Sequence, residues 1–196
     1  MNVIFLDLDG VLYTHNSILK PLDPEDGLEK RVKILSDICH KYNCKVVISS
    51  SKRERIQIYL NPDLDEELKQ DMDNIIELLN LFEKYEIEIY GMTPIRRKKY
   101  KLSNNKVEII DMWREYEIYA YLRRHPEIEH FCVIDDDDRV KIPDREKGNF
   151  KESDLNMFRE YLVSPIQYSK TDPLESGLNE SHIEEVGKIL QKKRIY

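Results

Sequence analysis

The chain has 196 residues, 40% of them hydrophobic and 35% charged, with a formal net charge of −7. That length suits one domain with a modest insertion. The acidic balance argues against a protein that coats nucleic acid by bulk electrostatics, although a local basic patch remains open to a phosphate-bearing end. The apolar start Met1–Leu6 is too short, and has the wrong flanks, for a secretory signal. No stretch approaches the ~20 apolar residues of a membrane span. The cysteines are Cys39, Cys44 and Cys132; this odd number, at no common zinc spacing, reads as buried reduced thiols in a cytoplasmic, reducing setting.

In chain order, Val3–Leu6 reads as a short buried strand. Pro21–Gly27 is turn-rich, and Leu28–Tyr42 has helical spacing at Leu28, Val32, Leu35, Ile38 and Cys39. Lys45–Ile48 is a second buried strand, ending in Ser49-Ser50-Ser51. Lys52–Leu60 reads as a helix broken by Pro62, followed by a longer helix over Glu66–Tyr85. Ile87–Tyr90 is a third strand, closed by Gly91-Met92-Thr93-Pro94. Arg96–Lys101 is a basic loop, Val107–Arg124 a helix, and Phe131–Ile134 a fourth strand ending in four aspartates. Beyond these, Ser153–Tyr161 follows a polar stretch, Leu162–Gln167 suits a short strand, and Asn179–Lys192 a last helix capped by Asn179 or Ser181. Strands alternating with helices imply an α/β fold with a parallel sheet, whose chemistry gathers at the carboxyl ends of the strands.

Those ends carry the reactive groups. In Ile4-Phe5-Leu6-Asp7-Leu8-Asp9-Gly10, a carboxylate at a strand end can attack phosphorus and carry the phosphoryl group as an aspartyl-phosphate. A second carboxylate two residues on, Asp9, can protonate the leaving oxygen and then activate water. Gly10 permits the sharp turn that follows. After the second strand, the Ser49 hydroxyl, with Ser50 as second choice, can hold a phosphate oxygen beside a helix start. Ser is equally suited to plain helix capping there. Asp135 and Asp136, ahead of Asp137 and Asp138, can join Asp7 in an oxygen-rich site for Mg²⁺. A cation near Asp7 is also needed, from Lys106 or Arg114.

These motifs, in this order over residues 2 to 138, resemble the haloacid dehalogenase (HAD) superfamily, and the D-x-D form resembles its phosphatases. The resemblance implies a HAD-like Rossmannoid sheet flanked by helices. A narrower likeness rests on Val47–Ser51, Gly91–Pro94, Arg114-Glu115-Tyr116-Glu117-Ile118, His125-Pro126-Glu127, Thr171-Asp172-Pro173 and Gly177-Leu178. These pieces look like the HAD domain of Swiss-army-knife RNA repair proteins, which typically show R-G-x-E-I-x-x-W-L before the fourth motif. Arg114 takes the Arg position and so outranks Lys106; Glu117-Ile118 match, and Tyr121-Leu122 stand for Trp-Leu. Glu115 in place of Gly, and Lys52 in place of Trp after the serines, depart from the pattern.

The chain thus reads as a single HAD-like domain, 1–196, with a helical insertion around 52–86 and minimal or no cap. The expected activity is Mg²⁺-dependent phosphomonoester hydrolysis, with the metal held by Asp7, the Asp9 carbonyl, and Asp135 or Asp136. An open site suits a macromolecular substrate, by analogy with uncapped relatives. A nucleic-acid terminal phosphate leads, ahead of a phosphoprotein, phosphotyrosine included, and then of a small molecule. A non-catalytic scaffold that binds a partner is the contrasting class. Arg96-Arg97-Lys98-Lys99-Tyr100-Lys101 would attract an anionic substrate near the catalytic edge, and Tyr13 and His15 fall just past the first motif.

Overall fold

The structure, a computed structural model, describes residues 1–14, 27–61, 72–95, 97–101, 107–111, 113–137, 157–166 and 176–194. His15, Lys106, Asp138 and Thr171–Pro173 fall outside them, as do the first part of the helix expected from Glu66 and the stretch before Met157.

Five strands form one all-parallel sheet: β1 (Asn2–Leu6), β2 (Cys44–Ile48), β3 (Ile89–Met92), and, further along the chain, His130–Ile134 and Leu162–Val163. Two more strands, β4 (Arg97–Lys101) and β5 (Val107–Asp111), pair antiparallel as a separate ribbon, so the later sheet strands are β6 (His130–Ile134) and β7 (Leu162–Val163). The sheet order is β3-β2-β1-β6-β7, with β1 at the centre. Helices α1 (Leu28–Tyr42), α2 (Arg53–Tyr59), α3 (Asp73–Lys84), α4 (Arg114–Arg124) and α5 (Ser181–Leu190) flank it.

Strands buried on both faces must be apolar throughout, which is why Val3–Leu6 and Val46–Ile48 are unbroken apolar runs with no solvent exposure. Phe131 of β6 stacks on Tyr161 at 4.4 Å between ring centroids, and packs edge-on against Phe5 at 5.9 Å and Phe158 at 5.7 Å. This aromatic stack couples β1 to the 3₁₀ turn Arg159–Tyr161 that leads into β7. Helix α1 stops where Asn43 takes a left-handed conformation, φ 49°, and its N–H returns to the Cys39 carbonyl. Helix α5 begins at Ser181, two residues later than expected, with Glu180 at its N-cap and no side-chain cap; Asn179 Oδ1 accepts the N–H of Ser181 at 3.0 Å just ahead of it.

Three expectations change. The helix expected over Val107–Arg124 begins only at Arg114; Val107–Asp111 is strand β5. Its Val and two Ile favour an extended chain, and a partner strand at 97–101 satisfies the backbone. The basic segment is correspondingly a strand, not a loop. The third sheet strand lies two residues later than expected; it pairs with β2 through Val46–Ile89 and Val47–Gly91, so Tyr90 is an extra residue on its side of the ladder. Gly91 reads as a breaker in sequence, yet it sits within β3 where a Cβ would fall 2.4 Å from the Tyr121 hydroxyl. Between β2 and β3 the connection carries α2 and α3, both helical as the sequence implies.

Candidate active site

The chain leaves β1 to build β2 and β3 on one side, and crosses back to β6 and β7 on the other. The crevice at such a reversal, outside the carboxyl ends of the strands, is where open α/β sheets bind ligands. Four residues stand one place past four strand ends, each tied to its neighbour's last carbonyl. Asp7 N–H donates to Ile134 O at 2.9 Å, Ser49 N–H to Leu6 O at 2.8 Å, Thr93 N–H to Ile48 O at 3.0 Å, and Asp135 N–H to Val163 O at 3.1 Å. The ladder therefore continues one residue beyond the strands and fixes these side chains in a row, with neighbouring backbones about 5 Å apart.

Asp7, Asp135 and Asp136 each bring a carboxylate oxygen within 4.8 Å of the others. Asp7 and Asp135 are buried, and Asp136 is half-buried. Arg114, the first residue of α4, bridges the pair: its Nη1 contacts Asp135 Oδ2 and lies 3.1 Å from Asp7 Oδ1. Burial opposes the charge of that guanidinium, but Asp135 and Asp7 outweigh it and hold Arg114 firmly protonated. Burial raises the Asp135 carboxyl well above the usual range, against the pull of Arg114 and with help from Asp7. Burial and then Asp7 push Asp136 up to about 6. One guanidinium does not neutralise three crowded carboxylates.

The arrangement fits a divalent cation. Three hard oxygen donors converge, and Asp7 Oδ1 is buried with the ion pair to Arg114 but no aligned hydrogen bond among the described residues. Asp137 supports the set from outside, its N–H donating to Asp135 Oδ1 at 3.0 Å. Gly10 supports it through what it lacks. At φ +75° it takes a turn that L side chains resist, and a Cβ there would fall 2.1 Å from the Asp136 carboxylate carbon.

Asp9 lies apart from this cluster. Its carboxylate is paired with the Lys52 ammonium, and its backbone bridges to Tyr13. The two serines divide their work. Ser50 Oγ accepts the Lys52 N–H at 3.3 Å, and the Ser50 carbonyl accepts Arg53 Nη1 at 2.6 Å, so Ser50 is occupied in shaping the turn into α2. Ser49 Oγ is buried with no partner among the described residues, an orphan hydroxyl at the end of the strand next to that of Asp7.

Sequence reasoning missed three participants. Thr93 carries a second buried orphan hydroxyl at the end of β3. Arg53 and Glu117 form a buried ion pair at 2.6 Å, which ties the serine turn to the helix that starts with Arg114. Burial pulls the Arg53 guanidinium down from its ordinary range, partly offset by Glu117. The signal for this pair was the Glu of the Arg114–Ile118 motif, which has no evident partner in sequence. Lys52 was visible only as a departure from a pattern. Tyr13 is nearly buried, with the Lys52 ammonium 4.1 Å above its ring centroid.

An all-parallel sheet of this order, with acidic groups at the central strand ends, is an α/β fold consistent with a HAD domain. Residues 3–157 match the family model of the HAD domain in Swiss Army Knife RNA repair proteins, and the chain belongs to that family. No curated protein and no solved structure matches the chain. Among the described residues, no helix is long and apolar enough to cross a membrane.

Proposed function

We propose that this protein is a Mg²⁺-dependent phosphomonoester hydrolase that acts through a phosphorylated Asp7, with a nucleic-acid terminal phosphate as its substrate. The observation that carries the reading is the convergence of Asp7, Asp135 and Asp136 at the sheet reversal, with Arg114 against Asp7. A scaffold has no need for crowded, partly discharged carboxylates, whose mutual repulsion costs stability.

Mg²⁺ would be held by Asp7, Asp135, Asp136 and the Asp9 carbonyl, and it supplies charge neutralisation for an anionic substrate approaching an anionic nucleophile. Ser49 Oγ, unpartnered among the described residues, donates to a phosphoryl oxygen. Arg114 holds Asp7 in place and offers its fork to the transferred group. Asp7 attacks phosphorus, and the bond to the leaving oxygen breaks. Asp9, exposed enough to meet that oxygen, gives it a proton. Asp9 then takes a proton from water as the water attacks the aspartyl-phosphate, which releases inorganic phosphate and restores Asp7. The family's association with RNA repair supports a nucleic-acid end as substrate. So does the basic run of β4, the next strand after β3 in the chain.

The test is hydrolysis of p-nitrophenyl phosphate and of RNA 3′-phosphates by the wild type and Asp7→Asn, with Mg²⁺ and with EDTA. The expected result is release of phosphate by the wild type with Mg²⁺ only. Full activity in EDTA, or in Asp7→Asn, would overturn the mechanism. A preference for phosphotyrosyl peptides over RNA ends would overturn the substrate assignment.

A further inference from the structure

Lys52 is a cation that the reaction as derived does not use. Its ammonium meets the Asp9 carboxylate, and the Tyr13 ring lies beneath it at 4.1 Å. The ring is a fixed floor, because Tyr13 is buried and its hydroxyl donates to the Asn74 carbonyl of α3 at 2.5 Å. The ammonium is therefore held by two residues of the turn after β1, one of them anchored on α3, and its side chain is still 24% exposed. An ammonium has three donors, and Asp9 takes one. The neighbouring cations are committed elsewhere: Arg53 to Glu117 and the Ser50 carbonyl, Arg114 to Asp7 and Asp135.

We propose that Lys52, seated on Tyr13, forms a second anion subsite on the leaving-group side, which selects substrates carrying another phosphate or phosphodiester next to the scissile one. This rests on the phosphatase reading above: Asp9 meets the leaving oxygen, so whatever that oxygen belongs to must pass Lys52, one contact further out. A nucleotide chain carries its next phosphate there, whereas a simple phosphate ester carries nothing. Arg114 and Lys52 then divide the recognition, with the guanidinium at the transferred phosphoryl group and the ammonium at the adjacent anion. A point charge with rotatable donors suits the second task, since it need not match one fixed geometry.

The test separates binding from turnover. Asp7→Asn protein, with Mg²⁺ in excess, is titrated by calorimetry with adenosine 3′,5′-bisphosphate, with adenosine 3′-monophosphate, and with a dinucleotide bearing a 3′-phosphate. The titrations are repeated with Lys52→Met and Lys52→Gln added. Binding of the bisphosphate at least about tenfold tighter than the monophosphate is expected, a difference of about 1.4 kcal/mol, with both Lys52 variants reducing that preference to under about threefold. Equal binding of the two nucleotides overturns the subsite. So does a loss that is equal for both in either folded Lys52 variant, which would leave Lys52 as a positioner of Asp9 alone. The dinucleotide matching the bisphosphate supports a chain end as the source of the second anion, and its matching the monophosphate supports a free nucleotide. Wild-type inertness toward p-nitrophenyl phosphate and every nucleotide would sink the phosphatase reading, while a preserved bisphosphate preference would keep Lys52 as an anion-binding residue.

Discussion

The two ends of the central sheet solve opposite problems. At the amino end the polar groups are matched. The Met1 ammonium donates to the Glu127 carbonyl at 3.1 Å and pairs with Glu129 at 3.3 Å. Arg194 donates to the carbonyls of Leu122, His125 and Ile128, closing the end of α4; its buried Nε is the exception. His130 Nδ1 meets the Lys192 carbonyl at 2.9 Å. At the carboxyl end, three carboxylates crowd one guanidinium, and the hydroxyls of Ser49 and Thr93 are buried without partners among the described residues. One end lowers the free energy of the fold, and the other spends some of it to keep groups ready for a ligand.

Substitutions at the amino end should therefore register in stability alone, and those at the carboxyl end in activity, in stability or in both. The largest effect is expected at Asp7. If the proposed mechanism holds, Asp7→Asn should lower kcat by roughly 10⁴-fold or more, because Asp7 is the group that would form the covalent intermediate; single-turnover assays with Mg²⁺ check this. Next is Glu117→Gln, which leaves Arg53 charged and buried beside Arg114. Breaking a buried pair costs about 3–5 kcal/mol, and urea denaturation should register a loss of that order. Arg194→Met should cost about 1–2 kcal/mol through uncapped helix carbonyls, with kcat per folded molecule unchanged; a drop in kcat would blur the division between the ends.

The smallest effect has the opposite sign. Asp136 is raised to about 6, so at pH 7 its ionised form is a cost to the metal-free fold. The cost is fully present above pH 6 and fades as the pH falls toward the unfolded value near 4. Asp136→Asn should accordingly stabilise the protein in EDTA by about 1 kcal/mol at pH 7, with no gain near pH 4, while weakening Mg²⁺ binding. Thermal melts at the two pH values, with and without Mg²⁺, check both halves.

The thiols belong to neither end. All three are buried and unpaired, as the sequence reading expects, and burial pushes Cys39 and Cys44 up to about 12 and Cys132 well above its ordinary value.

The sequence by itself determined the parallel sheet and the identity of its central strand ends. Val3–Leu6 and Phe131–Ile134 are apolar without interruption, and only a strand covered on both faces demands that. A carboxylate directly after such a run has one place to go, which is why Asp7 and Asp135 were legible from local pattern alone. Tertiary structure decided the rest. Val107–Asp111 carries a pattern that helix and strand share, and its antiparallel partner at 97–101 settles it. Arg53 and Glu117, distant in sequence, meet only because α4 packs beside the serine turn. Lys52 is one cation among many in the chain until Tyr13, anchored on α3, and Asp9 hold it at the site. Periodicity encodes what a residue does to its own strand or helix. Which charge meets which depends on how those elements pack, and no local pattern carries that.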